Sequence, residues 1–205
     1  MERGRATRDA LITAARELFG AHGYDGTSID AVLAAAGVAR GALYHHFATK
    51  TELFDAVLER ETIALAVAVG KAARPTREPL AGLRAGCDAF LRLALDPAVQ
   101  RITMLDAPAV VGWVRWRELD RRYLLGGIET AIGHLAGDGR VDPSAVEYLS
   151  HMILAAVGEA AMFVATSDDP DAALQTALAA VDTLLTRVLG PVNSRAGKPR
   201  RRPSA

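Results

Sequence analysis

The residues best suited to chemistry lie in one short stretch, GVARGALYHHFATK, at positions 37–50. Arg40 precedes Tyr44 by about one helical turn, two histidines follow Tyr44 directly, and Lys50 closes the stretch. Guanidinium, phenol and ammonium groups donate hydrogen bonds to phosphate oxygens, and guanidinium also reads base edges. The stretch therefore has the side chains of a nucleic-acid contact surface.

The two adjacent histidines, His45 and His46, also raise the question of a metal site. Neighbouring positions on a helix point about 100° apart, and no carboxylate stands at the spacing that a metal site needs. We therefore expect no metal and no cofactor. We expect His45 to contact the backbone or a base of a nucleic acid. We expect His46 to pack against the protein or to be partly exposed.

Two short predicted helices must position these residues. The Thr-Ser-Ile-Asp sequence from Thr27 to Asp30 resembles a capping box that begins the first of them, and Gly37 ends it. The second helix is predicted over about 39–45. Two short helices joined by a tight turn form a helix-turn-helix, whose second helix enters the DNA major groove.

The second helix has one face for packing and one for DNA. Leu43 and Phe47 are spaced i, i+4 and can anchor it to the preceding helices. Gly41 costs about 1 kcal/mol of helix propensity relative to Ala, and a close approach of the backbone to DNA explains that cost. The small residue Ala39 is suited to the same approach. The residues left for nucleic acid are Arg40, Tyr44 and His45.

The rest of the chain shows the helical period throughout and no strand-like alternation. A first helix carries an apolar stripe from Leu11 to Phe19 and ends in the glycine-rich GAHGYDG. A capping box from Thr49 to Glu52 opens a long fourth helix. The sequence therefore predicts an all-α fold of about nine helices, the last five over roughly 79–95, 97–104, 111–136, 143–166 and 170–189.

The segment GYDGTSIDAVLAAAGVARGALYHHFATKTELF resembles the DNA-binding segment of the tetracycline-repressor (TetR) family of bacterial transcriptional regulators. The resemblance runs from about Ala6 to Leu58. The positions that carry it are Gly23, Tyr24, Thr27, Ala36, Gly37, Val38, Gly41, Leu43, Tyr44, Phe47, Lys50 and Leu53. Ala39 departs from it, because the family often has Ser or Thr there to cap the recognition helix and reach a phosphate.

The resemblance implies a homodimer that binds operator DNA, with a variable helical domain for a small-molecule effector. We expect a DNA-binding domain at 1–50, an effector and dimerisation domain at 51–190, and a disordered basic tail at 191–205. The expected DNA contacts are Thr27, Ala39, Arg40, Gly41, Tyr44, His45 and Lys50.

Four of these contacts have an alternative interpretation. Thr27 serves as a helix cap alone or also meets a phosphate at a helix N-terminus. Tyr44 packs in the core or donates to a phosphate, and Lys50 is a solvated surface charge or a phosphate clamp. Arg40 reads guanine through its guanidinium fork or binds a phosphate.

The composition indicates where the protein is located. It does not indicate a DNA partner, because the basic and acidic residues balance, so that partner must be inferred from local charge. The chain has 24 basic and 24 acidic residues, one cysteine (Cys87), no apolar signal region and no uninterrupted membrane-length apolar run. We expect a cytoplasmic protein without membrane contact. Arg3, Arg5 and Arg8 form a basic N-terminal arm that follows phosphates or is disordered, and the basic tail either adds DNA affinity or only solubility.

The last two predicted helices, near 143–166 and 170–189, carry the expected dimer interface. Their apolar stripes offer more area than one helical pair needs, and burial inside a monomer is the alternative. The stripes are Val146, Leu149, Ser150, Ile153, Leu154, Val157, Ala161 and Val164 on the first helix, and Leu174, Leu178, Val181, Leu185 and Val188 on the second.

An effector pocket is expected around DAPAVVGWVRWRELDRRY at 106–123. Trp113, Trp116, Asp120 and Tyr123 share one predicted helix face, which we expect to point inward. Soft apolar side chains suit a mainly apolar effector that is aromatic or cationic, and ordinary core packing is the alternative. The remaining candidates for the lining are Cys87, Phe90, Met104, His151 and Met152.

These patterns predict a ligand-responsive transcriptional regulator, most simply a repressor released from a palindromic operator. A constitutive DNA-binding or architectural protein without effector is the main alternative, and a ligand that releases the protein from DNA distinguishes the two. A small helical enzyme is disfavoured. The chain lacks His-Glu-x-x-His, Gly-x-Ser-x-Gly and P-loop motifs.

Overall fold

The computed structural model describes residues 2–190, with side chains from Gly4 onward. Over this range the chain is helical without strands, which confirms the all-α prediction. Four helices precede Pro75: α1 (Glu2–Gly26), which is interrupted by the non-helical Gly23 at φ +73°, α2 (Ile29–Ala36), α3 (Arg40–His46) and α4 (Lys50–Ala73). The predictions for the Arg3 side chain and for the tail at 191–205 lie outside the described residues.

Five continuous helices follow Pro75, and two of them contain π-helical turns. They are α5 (Pro79–Leu93); α6 (Pro97–Val99), which runs through π-helical Gln100–Asp106 into α7 (Ala107–Val110); α8 (Trp113–Asp120), which runs through π-helical Arg121–Leu125 into α9 (Gly126–Gly137); α10 (Val146–Ala165), preceded by a 3₁₀ turn (Pro143–Ala145); and α11 (Pro170–Leu189). The single helix predicted over 111–136 therefore begins only at Trp113, after Gly112 at φ +82°. Its middle, Arg121–Leu125, is π-helical.

The first three helices form as the sequence predicts, with two differences. Helix α1 begins at Glu2, so the basic segment expected as an arm is its first part. Helix α2 is capped by Ser28, whose Oγ accepts from the Ala31 N–H at 3.1 Å. The expected cap, Thr27, is instead buried and donates its hydroxyl to the Gly23 carbonyl at 2.8 Å. Thr27 and Ser28 both carry a hydroxyl that can cap a helix, so the sequence pattern does not distinguish them, and the predicted cap lies one residue too early.

The turn between α2 and α3 depends on Gly37. Its φ of +66° and ψ of +31° lie in the left-handed region, where glycine carries no steric cost, and its N–H bonds back to the Ala34 and Leu33 carbonyls. Leu43 and Phe47 are buried, as expected for the packing face of α3. Thr49 caps α4 through the Glu52 N–H at 3.1 Å, as predicted, and the Glu52 carboxylate accepts in return from the Ala48 N–H at 2.7 Å, one residue before the cap.

An aromatic cluster fills the core beneath α1–α3. The Phe19 ring lies 5.1 Å from the Phe54 ring and 5.9 Å from the Tyr24 ring, centroid to centroid. This core includes the first half of α4 and is continuous with Ile102, Ala107 and Leu119 of the later helices. A division at residue 50 stays a prediction, since α4 runs without a break from this core into the rest of the protein.

The second core is aliphatic and is built from α5, α9, α10 and α11. It buries most of the stripe that was predicted to form the dimer interface, including Ile153, Val157 and Val164 of α10 and Val181 and Leu185 of α11. The assignment of these residues to the interface is therefore wrong. Each stripe packs the two helices inside one subunit, because a pair of helices at the edge of a bundle must first bury its own inner face.

The opposite face of α10 remains exposed and largely apolar. Tyr148, Met152 and Phe163 are 72%, 65% and 68% exposed and are spaced along one side of the helix, with Ala155 and the exposed Glu159 between them. Such a row of large exposed apolar side chains is uncommon on a soluble monomer and indicates a contact surface.

Candidate DNA interface and ligand cavity

The outward face of α3 carries the residues predicted to contact DNA. Arg40, Tyr44 and His45 are exposed, and half of the Tyr44 surface is accessible. Ala39 precedes the helix in extended conformation without a side-chain cap, which leaves the first N–H groups of α3 without that partner. A Cβ added at Gly41 would meet no protein atom within 4 Å, so nothing in the packing of the protein requires glycine there.

Arg40 is held by a neighbour on the preceding helix. Its guanidinium forms an ion pair with Asp30 near the start of α2, and both side chains are mostly exposed. An exposed ion pair contributes little, about 0–1 kcal/mol, so it can be exchanged for a contact with a phosphate or a guanine. The pair orients Arg40 along the surface that faces away from the aromatic core.

The two ends of the helix-turn-helix carry the remaining predicted contacts. The Thr27 hydroxyl is satisfied by Gly23 and is buried, while Ser28 beside it is exposed at the N-terminus of α2. The Lys50 ammonium lies 4.1 Å from the centre of the Tyr24 ring, and the Tyr24 hydroxyl is hydrogen-bonded to Thr51 Oγ1 at 2.8 Å. The first turn of α4 therefore holds a positioned cation near α3.

A cavity of about 390 Å³ lies among α4, α5, α9 and α10. Cys87 and Phe90 of α5, together with Asp120 and Tyr123 of the α8–α9 helix, line it. These four of the nine predicted effector residues are thus brought together. Aliphatic residues and glycines make up most of the remaining wall, and its polar side chains include Arg74, Arg77 and Glu78.

The other five predicted residues lie elsewhere, and the predicted inward face divides: Asp120 and Tyr123 reach the cavity, and the two tryptophans do not. Trp113 is 63% exposed, and Trp116 donates its indole N–H to the Thr103 carbonyl at 2.9 Å, so it packs at a helix junction. The side chains of Met104, His151 and Met152 also lie away from the cavity: Met104 is buried in the aliphatic core, and Met152 is largely exposed on α10.

Glycines supply cavity wall that the sequence patterns did not indicate. Gly70, Gly127 and Gly158 belong to α4, α9 and α10, and all three line the cavity. A Cβ added at any of them would meet no protein atom within 4 Å. The only signal in the sequence was their position inside helices, where glycine costs about 1 kcal/mol relative to alanine.

Asp120 and Cys87 are the buried titratable groups of the cavity wall. Burial raises the pKa of Asp120 to about 6, although the Arg117 guanidinium, 3.2 Å from its Oδ2, opposes this shift. No described group donates a hydrogen bond to the other carboxylate oxygen. Burial also raises the pKa of the Cys87 thiol to about 12, so this thiol is uncharged and a poor nucleophile at neutral pH.

A polar junction connects the cavity wall to the DNA-binding half. The Tyr123 hydroxyl donates to the Glu59 carboxylate on α4, and this carboxylate raises the pKa of Tyr123. Arg115 of α8 binds Asp55, one turn before Glu59, at 2.9 Å. The Tyr24 N–H at the end of α1 donates to Asp106 at 2.7 Å, which forms a second connection.

No group of three or more histidine, cysteine, aspartate and glutamate residues suited to a metal ion occurs within the part of the chain that the structure describes.

Two family models match the chain. Residues 11–57 match the model for bacterial regulatory proteins of the tetR family, and residues 80–188 match the model for the tetracyclin repressor-like C-terminal domain. A TetR-family transcriptional regulator from Pectobacterium atrosepticum has a solved structure similar to this one, with a TM-score of 0.81 and 32% identity. The match covers 92% of this chain and 97% of that one.

Two curated relatives illustrate how the similarity is distributed. The transposon Tn10 TetC protein of Escherichia coli is 23% identical over 152 residues, which are 74% of this chain and 77% of that protein. The transcriptional activator FasR of Mycolicibacterium smegmatis is 40% identical over 83 residues, but these are only 40% of this chain and 38% of FasR. The shorter alignment has the higher identity.

Proposed function

Because this chain belongs to the TetR family of bacterial transcriptional regulators, we propose that it is a repressor that a small molecule releases from a palindromic operator. The observation that carries the proposal is the exposed face of α3, where Arg40, Tyr44 and His45 surround Gly41. Its relatives are transcriptional regulators, which is consistent with a protein that is not an enzyme.

In the proposed complex, α3 enters the major groove with its glycine toward the DNA. The open space at Gly41 supports a close approach of the backbone, with the small Ala39 beside it. Arg40 exchanges its ion pair with Asp30 for a guanine or a phosphate. Tyr44 donates its hydroxyl to a phosphate, and His45 contacts backbone or base.

The flanking contacts hold the helix-turn-helix against the phosphates. Lys50 is a phosphate clamp in this proposal, supported by its fixed position over the Tyr24 ring. The N-terminus of α2 meets a phosphate through its free N–H groups and the exposed Ser28. Thr27 contributes by holding this end of α2 to the Gly23 carbonyl, since its hydroxyl already has that acceptor.

The operator-binding form in this proposal is a homodimer that pairs α10 and α11 of one subunit with those of its partner. The exposed row of Tyr148, Met152 and Phe163 supports this arrangement, because a partner subunit would remove its large apolar area from water. The exposed face of α11 is rich in alanine and threonine, including Ala172, Thr176 and Ala179, which permit close helix packing.

We place the protein in the cytoplasm, where its DNA is. The segments Pro143–Ala165 and Pro170–Leu189 are long and apolar enough to cross a membrane by composition alone. Both helices contribute their inner faces to the second core, and α10 offers its outer face for dimer contact. That use of both faces favours a helical bundle over a membrane span.

Release follows from a shift between two forms of the dimer. DNA favours the form whose two α3 helices match successive major grooves, about 34–36 Å apart. A molecule in the cavity favours a form with another spacing. The polar junction supports this coupling, because Tyr123 contacts both the cavity and Glu59 of α4, and α4 continues directly from the DNA-binding core.

Selection of DNA from a random-sequence library by the purified protein tests this function. We expect a near-palindromic consensus and, in sedimentation at micromolar concentration, two subunits bound per site. Phe163→Asp, which places a charge in the proposed interface, should shift the protein to monomers and weaken operator binding together. A sequence-independent pool, or a wild-type monomer on DNA, would contradict the proposal.

A further inference from the structure

We propose that the cavity takes an extended amphiphile with a single carboxylate headgroup, a medium- or long-chain carboxylic acid in its ionised form. The proposal rests on the proposed function in treating this cavity as the effector site. It adds the chemical class and the orientation of the ligand, with the carboxylate at the mouth and the apolar end inside.

The shape of the cavity favours an extended molecule. Pro79 and Phe90, at opposite ends of α5, both line it. A helix rises about 1.5 Å per residue, so this wall alone is roughly 16 Å long. The long wall and a volume of about 390 Å³ describe a channel, which a chain fills more completely than a compact ring does.

Glycines in the wall keep the middle of the channel open. Gly70 and Gly158, both half-buried, face it from two helices, and the space that a Cβ would occupy at each is free of protein atoms. Leu83 and Ile128 are among the apolar side chains of the wall. Close packing normally fills such space, so a methylene chain that occupied it would gain the contacts that the protein lacks.

The mouth of the channel carries unpaired positive charge. Arg74 and Arg77 line it together with the exposed His134, and neither of the two guanidinium groups has a hydrogen bond or ion pair with another described group. The acidic side chain there, Glu78, already caps α5 through the Leu80 N–H at 3.2 Å and binds Arg140 at 3.1 Å. Two guanidinium groups without partners match a carboxylate in charge and in hydrogen-bond geometry.

The inner end determines the orientation. Asp120 presents a carboxylate to the cavity beside Phe90 and Tyr123, so an anionic headgroup there would face like charge in a site largely shielded from water. Its partner Arg117 is already engaged with it. The carboxylate of the ligand therefore belongs at the mouth, and the end of the chain belongs near Phe90.

Calorimetric titration of the DNA-free protein with three probes of equal chain length tests the headgroup. Dodecanoate and dodecylamine are added below their micelle concentrations, and dodecanol below its solubility limit. We expect dodecanoate to bind at least tenfold more tightly than the other two. From octanoate to dodecanoate the affinity should rise about fourfold per methylene, as burial of each group predicts. Equal or tighter binding of the amine or the alcohol overturns the assignment of the headgroup.

Matched variants test the site itself. Gly158→Leu and Gly70→Leu should each weaken dodecanoate binding at least tenfold, whereas Gly133→Leu should not. Gly133 is a helical glycine with equally open space that does not line the cavity. Circular dichroism checks that each variant is folded. Because two different variants fill the cavity, the test remains valid if one of them misfolds. Dodecanoate binding that survives both of them, when folded, overturns the location.

The charge at the mouth has its own pair of variants. The double variant Arg74→Gln/Arg77→Gln should lose at least tenfold affinity for dodecanoate and leave dodecanol binding unchanged. Lys71→Gln removes a neighbouring exposed charge outside the lining and should change little. If dodecanoate binds as expected but leaves operator affinity unchanged, the ligand class is supported and the proposed release from DNA is contradicted.

Discussion

The two cores of this protein use their residues in opposite ways. Beneath the DNA-binding helices, the rings of Phe19, Tyr24 and Phe54 pack edge to face or stacked and fill the space between α1 and α4. Beside the second core, Gly70 and Gly158 leave space unfilled at the wall of a cavity of about 390 Å³. A surface that must match DNA needs a rigid base, and a site that must admit a ligand needs room.

Truncation of one aromatic ring in each core should give the largest contrast. Phe54 is fully buried, so Phe54→Ala should lower the free energy of unfolding by about 3–5 kcal/mol. Phe90 already borders empty space, so Phe90→Ala removes fewer contacts and should cost less than half as much. Urea denaturation of both variants measures the difference, and equal costs would mean that the cavity is filled or collapsed in solution.

The largely buried Asp120 carboxylate of the cavity wall should make stability depend on pH. The pKa of Asp120 in the folded protein is about 6, above its ordinary 3.8, so the folded state holds this proton more tightly than the unfolded state does. Its contribution is most favourable below the ordinary pKa, declines as the pH rises toward 6, and stays at its lower value above that. One pKa unit corresponds to 1.36 kcal/mol, so the decline amounts to about 1–3 kcal/mol.

Asp120→Asn removes this titration but keeps the shape of the side chain. The stability of the variant relative to wild type should therefore rise by about 1–3 kcal/mol between pH values of about 4 and 7. Urea denaturation of both proteins at the two pH values measures this change. The loss of the Arg117 partner affects the variant at both pH values, so a constant difference would show that Asp120 is solvated and not a buried wall residue.

Replacing glycine with alanine should change the free energy of unfolding in opposite directions in the two regions. Gly37 needs its positive φ, so Gly37→Ala should lower the free energy of unfolding by about 1 kcal/mol. Gly158 has helical backbone and open space, so Gly158→Ala should raise it by about 0.5–1 kcal/mol. Thermal unfolding of the two variants checks both signs. A destabilising Gly158→Ala would indicate that a Cβ meets a neighbour there and that the cavity is narrower in solution.

Residues that are present for a local reason were predictable from the sequence. Gly37, Leu43 and Phe47 follow from the turn and the i, i+4 spacing, and Thr49 and Glu52 from the capping box. These features depend on neighbours within a few positions, so the sequence carries them directly. The cap at Ser28 was missed by one residue, because two adjacent hydroxyls have the same local signature.

The cavity was poorly predictable from the sequence because part of its wall consists of glycines, which have no side chain. Bulky, soft residues such as Trp116 and Met104 suggested a lining, but the structure uses them to fill packed junctions. Gly70, Gly127 and Gly158 lie far apart in the sequence, and only the tertiary arrangement brings them to one space. The stripe containing Ile153 and Val157 was likewise a core pattern, and the exposed row with Tyr148 could be recognised only after the inner face was known.

Binding of the selected operator by α3 variants tests the central claim most directly. Fluorescence anisotropy across a range of salt concentrations gives the affinity and its salt slope for wild type, Tyr44→Phe, Lys50→Ala and Arg40→Ala. Tyr44→Phe and Lys50→Ala should weaken binding to operator and unrelated DNA alike, and Lys50→Ala should lower the slope by about 1. Arg40→Ala should change the preferred sequence. Unchanged affinity, slope and preference in all three folded variants would contradict DNA recognition by this face of α3.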